Sequence, residues 1–124
     1  MTRNISFSLT KEQFRNRTKT VTRRIGWKNL KSGEILCAVE KAQGLKKGEK
    51  VVRMGLIRVV NVRIEWLYEL TDNPEYGKAE VIKEGFPDMT PVQFFGFFVD
   101  HHDFDYTEEK VTRIEFEYLG LEWI

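Results

Sequence analysis

Most of the chemistry that this sequence offers lies in six consecutive residues, 19–24, which read Lys-Thr-Val-Thr-Arg-Arg. If they form one regular strand, Thr22 and Arg24 share a face, and Lys19 meets Thr22 only where the backbone turns between them. A lysine that is crowded by arginines and removed from water has a lowered pKa. Lys19 is therefore a candidate base and Thr22 a candidate nucleophile, although the spacing alone favours an ordinary solvated basic strand.

Charge divides the chain into a basic and an acidic half. Residues 1–53 contain 14 Lys and Arg against 4 Asp and Glu, residues 54–124 contain 6 against 15, and the formal net charge is +1. Such halves attract each other inside a fold, or the basic half presents a face to phosphates. No acid interrupts residues 15–31, which favours the second interpretation and an RNA or nucleotide partner. The predicted nucleic-acid-binding residues are Arg15, Arg17, Arg23, Arg24, Trp27, Lys28 and Lys31.

Other candidates for chemistry are weaker. Trp27 stands beside the basic run, where an indole either stacks on a nucleobase or closes the end of the core. His101 and His102 lie among aspartates, but adjacent histidines do not easily hold one ion from a regular element, so we expect a solvated loop and no metal. Cys37 is the single cysteine, which excludes an internal disulfide and a cysteine-based zinc site. We expect no cofactor.

Length and composition limit the class of protein. The chain has 124 residues, of which 41% are hydrophobic and 31% charged, and this suits one domain over residues 1–124. No window approaches the roughly 20 apolar residues of a transmembrane helix, and the N-terminus lacks the apolar block of a signal peptide. We therefore expect a cytoplasmic protein with no membrane partner, and the oligomeric state stays open.

Hydrophobic alternation predicts five strands. They span residues 4–9, 18–25, 34–40, 50–64 and 111–119. Gly55 interrupts the longest of them and predicts a bulge. The continuous apolar run within residues 34–40 is typical of a strand that is buried on both faces or closes a barrel.

Helix signals lie between these strands. Thr10 and Gln13 predict a capping box for a helix over residues 11–17, and Gly85 ends a helix over about residues 75–84. Thr90 followed by proline begins a third helix, whose phenylalanines we expect in the core. The predicted fold class is α+β, as a small curved β-barrel of five to six strands with two or three helices over its mouth.

The residues around Lys19 also resemble a known family. The pattern Lys19-Thr20-x-Thr22-x-Arg24, after an amphipathic helix, is similar to the signature of ASCH domains, which are PUA-like β-barrels associated with RNA. Further matches follow in the family's order, at residues 5–7, 31–36, 58–71, 84–95 and 112–118. The resemblance covers nearly the whole chain, and the Lys-Thr-x-Thr-Arg-Arg form looks closer to phage and prophage members.

The resemblance implies roles for individual residues. Some small members of the family are amidohydrolases that remove acetyl from N4-acetylcytidine, and the matching positions imply Lys19 as general base, Thr22 as nucleophile and Glu84 as proton donor. Arg24 would bind or orient an anion. An acid in the last turn of a helix is disfavoured by the helix dipole, which suits a proton donor. The chain departs from the family at Arg17, where glycine is frequent, and in its longer 41–50 turn and 101–110 loop.

Three functions remain open at this point. The first is an RNA- or nucleotide-binding ASCH domain with a basic cleft around residues 19–24. The second is a hydrolase of the same fold, either an amidohydrolase on an acetylated or otherwise modified nucleoside or a ribonuclease, that uses Lys19, Thr22 and Glu84. The third is a protein-interaction module. Convergence of the three residues in one pocket favours catalysis, whereas pairing of the arginines with acids favours the interaction module.

Overall fold

The computed structural model describes residues 2–120, which form an α+β fold of one five-stranded sheet and four helices. The strands are β1 (Arg3–Ser6), β2 (Val21–Arg24), β3 (Ile35–Val39), β4 (Arg53–Glu65) and β5 (Val111–Gly120). The helices are α1 (Lys11–Arg15), α2 (Glu69–Asp72), α3 (Pro74–Lys83) and α4 (Pro91–His101). Within this range, no helix has both the length and the apolar character that a membrane crossing requires.

The sheet curls into a half-barrel with the strand order β1-β3-β4-β5-β2. β1 runs parallel to β3, and every other neighbouring pair is antiparallel. The central strand β4 changes register beside Gly55 and again between Val59 and Asn61, and such irregularities bend a strand. The α+β class and the curved five-stranded sheet are thus confirmed. Because β1 and β2 are the two edges of the sheet, they border the open side of the half-barrel.

Two apolar clusters fill the fold. The first lies between the sheet and α1 and contains the rings of Phe7, Phe14 and Phe116, whose centroids are 4.8 to 6.3 Å apart. The second is formed mainly by the three later helices and includes Phe94 and Phe98 of α4. The prediction that phenylalanines of this helix belong to the core is confirmed for these two.

The helix cap predicted from the sequence forms at α4 but not at α1. The predicted capping box of Thr10 and Gln13 is wrong, because the Thr10 side chain makes no capping hydrogen bond. Gln13 instead lies against Gly85. The box at α4 forms, since Gln93 N donates to Thr90 Oγ1 at 3.1 Å and Thr90 N donates to Gln93 Oε1 at 2.9 Å. α1 is therefore positioned by its tertiary contacts rather than by its own cap.

Candidate functional site

The connector between α1 and β2 delivers Lys19 to the interior. α1 ends in a Schellman motif, in which Thr18 N donates to Gln13 O and Arg17 N donates to Phe14 O, both at 3.0 Å. Arg17 has a φ of 59°, the left-handed conformation that glycine normally supplies at this position. The arginine therefore keeps the helix exit that a glycine would give. The chain turns there, and Lys19 is buried with 2% of its surface exposed.

Glu84 reaches the same place from the C-terminal end of α3. It is the C-cap of that helix, and Gly85 follows it with a φ of 99°. A Cβ on Gly85 would lie 2.8 Å from Gln13 Cβ, so glycine lets the end of α3 approach α1 this closely. Lys19 Nζ donates to Glu84 Oε1 at 2.7 Å and to the Glu84 backbone oxygen at 2.9 Å. Lys19 and Glu84 form a buried ion pair.

Thr22 lines the cleft into which this ion pair faces. It lies on β2 and is 3% exposed. Its Oγ1 accepts a hydrogen bond from Arg24 Nε at 3.0 Å. Over residues 2–120, its side chain has no direct hydrogen bond to Lys19. The structure therefore gathers the three predicted catalytic residues around one cleft, with Lys19 and Glu84 in contact and Thr22 held by Arg24.

Arg24 spans the open side of the half-barrel. Its Nη2 donates to the backbone oxygen of Ser6 on β1, and its guanidinium carbon lies 5.0 Å from the centroid of the Phe7 ring. Burial lowers the pKa of Arg24 to about 10, and the charge of Glu84 opposes part of that shift. In the part of the chain that is described, Arg24 pairs with no carboxylate, and its Nη1 has no protein partner.

The free Nη1 of Arg24 is not completely buried. Every buried polar side-chain atom in the described range has a hydrogen-bond partner, so an atom without a partner is not sealed in the interior. Arg24 lines the cleft together with Lys19 and Thr22. A ligand in the cleft would find an unused N–H donor there.

Arg23 corrects a prediction. The sequence assigns it to phosphate contacts, but its side chain has no exposed surface, because it points to the opposite face of β2 from Arg24, although the residue also borders the cleft. Its guanidinium contacts the carboxylates of Glu65 at 3.0 Å, Glu80 at 2.6 Å and Glu84 at 2.9 Å. Burial by itself lowers the pKa of Arg23, and the charges of Glu84 and Glu65 outweigh it, so the pKa is raised. Arg23 is an internal anchor for Glu84.

Four members of this buried network escaped prediction from the sequence, namely Glu65, Tyr76, Glu80 and Arg113. Arg113 donates to both carboxylate oxygens of Glu80, and Tyr76 Oη donates to Glu65 Oε1 at 2.7 Å. The one available signal was the spacing of Glu80 and Glu84, since residues four apart share a helix face. Nothing in the sequence links Glu65 or Arg113 to that face.

The side chains that form the interior of the site comprise four cations and three anions. The cations are Lys19, Arg23, Arg24 and Arg113, and the anions are Glu65, Glu80 and Glu84. Burial lowers the pKa of Lys19, although the charge of Glu84 opposes this. A charge that is removed from water without a partner is costly, so the site favours an anionic or electron-rich group beside Arg24.

Aromatic side chains form the other wall of the cleft, whose volume is about 120 Å³. They are Phe86, Phe94, Phe97, Phe98 and His102. The His102 ring stacks on Phe98 with centroids 4.1 Å apart. His102 is therefore half-buried in the cleft, whereas the sequence predicts a solvated loop for it. A cleft lined by both aromatic and polar side chains suits a planar ring that carries polar groups on its edge.

The remaining predicted nucleic-acid-binding residues do not line the cleft. They are Arg15, Arg17, Trp27, Lys28 and Lys31. Arg15 is ion-paired with Glu40, and the Arg17 guanidinium lies over the ring of Tyr118 at 5.4 Å. Trp27 is half-buried against the first apolar cluster. Over residues 2–120, no group of three His, Cys, Asp or Glu side chains is arranged to hold a metal ion.

No protein-family model, curated protein or solved structure matches this chain. The function of the cleft is therefore argued from its geometry and from the residue pattern that resembles ASCH domains.

Proposed function

We propose that this chain is an RNA- or nucleotide-binding domain of the ASCH, PUA-like kind, and that the cleft receives the base of one nucleotide. The observation that carries the proposal is Arg24, a guanidinium without a carboxylate partner that faces a cleft with an aromatic wall. A nucleotide complements both the guanidinium and the aromatic side chains. Its planar base stacks on aromatic side chains, and its oxygen atoms accept hydrogen bonds from a guanidinium.

Two observations support the family part of the proposal. The sheet is curled and five-stranded, as a small barrel requires. The three residues that the resemblance singles out, Lys19, Thr22 and Glu84, line one cleft although 65 positions separate the first from the last. The spacing of these residues along the chain does not by itself bring them together.

Isothermal titration calorimetry with the four 5′-ribonucleotides, their nucleosides and N4-acetylcytidine tests the binding proposal. Arg24→Gln should weaken binding of the best ligand about 10- to 100-fold, because a hydrogen bond to a charged group contributes about 1.5–3 kcal/mol. Arg58→Gln is the matched control, since Arg58 is half-exposed and pairs with Glu117 at 2.6 Å away from the cleft. Absence of binding by any of these ligands, or equal weakening by both variants, would contradict the proposal.

Amide hydrolysis on a modified nucleoside is the second candidate, and the contact between Lys19 and Glu84 beside Thr22 favours it. In the reactive form of the Lys19–Glu84 pair the shared proton lies on Glu84, which leaves Lys19 as a neutral amine. Thr22 Oγ1 attacks the acyl carbon and its proton passes to Lys19. The carbon–nitrogen bond then breaks, the departing amine takes up a proton supplied by Glu84, and water hydrolyses the acyl-threonine ester. Burial lowers the pKa of Lys19, although the charge of Glu84 opposes this, and a lowered pKa is the direction that a base working at neutral pH requires.

Incubation with N4-acetylcytidine and detection of products by mass tests this candidate. The wild type should release cytidine and acetate. Lys19→Met and Thr22→Val should be inactive, whereas Thr22→Ser should retain part of the turnover because it keeps the hydroxyl. Normal turnover by Thr22→Val would show that another group is the nucleophile.

A further inference from the structure

Six cations lie in or beside the loop between β3 and β4, and we call the surface they form the basic rim. They are Lys11, Lys41, Lys46, Lys47, Lys50 and Arg53. Three of them, Lys11, Lys41 and Lys50, line a shallow pocket of about 150 Å³. Ser8 lines both this pocket and the cleft. The basic rim therefore begins where the cleft ends.

The cations of the basic rim form no ion pair with a carboxylate of residues 2–120. All six are exposed. Two acids lie in the same pocket, and neither forms an ion pair with a cation of the basic rim. Glu40 pairs with Arg15, and Glu49 accepts a hydrogen bond from the backbone N–H of Lys46 at 2.8 Å. This concentration of positive charge is left for a partner outside the chain.

Exposed apolar side chains accompany these charges. Leu9, which also lines the cleft, is 48% exposed, and so is Val52, which lines the pocket of the basic rim. Free ammonium groups bind the phosphates of a nucleic acid, and apolar side chains contact bases that are not paired with a second strand. The surface therefore complements a single-stranded polynucleotide. The neighbouring aromatic cleft gives one base of such a strand a place to enter.

We propose that the basic rim binds the phosphates next to the nucleotide in the cleft, so that the ligand is a single-stranded polynucleotide rather than a free nucleotide. The inference rests on the proposed function and extends it to a second surface. It also replaces part of the predicted surface over residues 15–31, where Arg23 is internal and Arg15 is paired with an acid. Continuity with the cleft favours a polynucleotide over an anionic membrane, since a membrane would leave the cleft unused.

Fluorescence anisotropy with labelled homopolymeric ribonucleotide nonamers of each base, beside calorimetry with the 5′-ribonucleotides, tests the inference. The best nonamer should bind more tightly than its mononucleotide, and its affinity should fall steeply with salt. Lys41→Gln/Lys50→Gln should weaken nonamer binding roughly 10- to 100-fold at low salt and reduce the salt slope by about 1.4, because each phosphate contact contributes about 0.7. Mononucleotide binding should stay within about twofold of the wild type.

The control variant is Lys78→Gln/Lys110→Gln, which removes the same charge from lysines that line neither the cleft nor the pocket of the basic rim. It should bind the nonamer like the wild type. If nonamer and mononucleotide bind equally well, the inference is overturned while the proposed function stands. If neither binds, both fail. Binding to phosphatidylserine vesicles without nonamer binding would assign the basic rim to a membrane and would also overturn the inference.

Discussion

Glu84 is held from two sides by buried cations. Lys19 Nζ donates to its Oε1 at 2.7 Å, and Arg23 Nη1 donates to its Oε2 at 2.9 Å. Among residues 2–120, Arg23 has two further carboxylate partners, whereas Lys19 has only Glu84. The carboxylate therefore couples the residue that faces the cleft to the network behind it.

Glu84→Gln should destabilise the protein more than Lys19→Met. Glu84→Gln removes the negative charge that two buried cations, Lys19 and Arg23, share. Lys19→Met removes one cation and leaves Glu84 paired with Arg23. Breaking a buried ion pair costs about 3–5 kcal/mol, and we expect a cost in that range for Glu84→Gln and a smaller one for Lys19→Met. Urea unfolding at pH 7 measures both.

The exposed pair of Arg58 and Glu117 supplies the control for this comparison. Glu117→Gln should cost less than about 1 kcal/mol, because exposed ion pairs contribute little. A larger cost for Lys19→Met than for Glu84→Gln would mean that Arg23 does not hold Glu84 in solution.

Two glycines inside helices have opposite surroundings at the level of helix packing. A Cβ on Gly77 of α3 would lie 1.9 Å from the backbone oxygen of Leu70 in α2. A Cβ on Gly96 of α4 would lie more than 4 Å from the neighbouring atoms of the described residues. The first glycine is therefore required for the close contact of α2 with α3, and the second is not required by packing.

Gly77→Ala should be destabilising and Gly96→Ala stabilising. Overpacking against backbone costs about 1–3 kcal/mol, whereas alanine in an open helix interior gains roughly 0.5–1 kcal/mol over glycine. Thermal unfolding of the two variants beside the wild type shows the direction of each change. Shifts of the same sign would contradict the packing of α2 on α3 described above.

On the scale of the whole molecule, the basic and acidic halves of the chain meet in the interior. Arg23 comes from the basic half, and its three carboxylate partners come from the acidic half. The ion pairs of Arg23 therefore show that the basic and acidic halves attract each other inside the fold, which is one of the two interpretations of the charge pattern. The exposed cations of the basic rim take no part in it.

Acid should unfold the protein through this network. Burial alone raises the pKa of Glu80, but hydrogen bonds from Arg113 and Arg23 outweigh it and lower the pKa to about 2 from an ordinary value of 4.5. Below about pH 4.5 the unfolded chain therefore binds a proton that the folded chain does not. Stability present above that pH should decline as the pH falls towards 2, by on the order of 3 kcal/mol for this residue.

Urea unfolding at several pH values between 7 and 2.5 measures this decline. Glu80→Gln should be less stable at pH 7 and should lose that part of the acid dependence. The exposed Glu108→Gln should leave the pH profile unchanged. A Glu80→Gln profile as steep as that of the wild type would assign the acid sensitivity to other carboxylates.

Several features of the site could be predicted because they depend on neighbours in sequence. The glycine after Glu84 and the cap at Thr90 are local signals, and they mark the end of α3 and the start of α4. Arginine at position 17 gives no such signal for the left-handed exit of α1. Thr10 shows the limit of such patterns. Its capping box matches the sequence pattern but does not form, and the Gln13 side chain lies against Gly85, which follows the end of α3.

The sequence by itself located the five strands to within about three residues at each end and offered Lys19 and Thr22 as candidates, and the family resemblance added Glu84. Only the tertiary structure decided that Arg23 points inward and Arg24 toward the cleft. Successive side chains of a strand point to opposite faces, and when both are arginine the pattern carries no sign of which face is buried. That choice depends on Glu65 and Glu80, which the chain brings to Arg23 from 42 and 57 positions away.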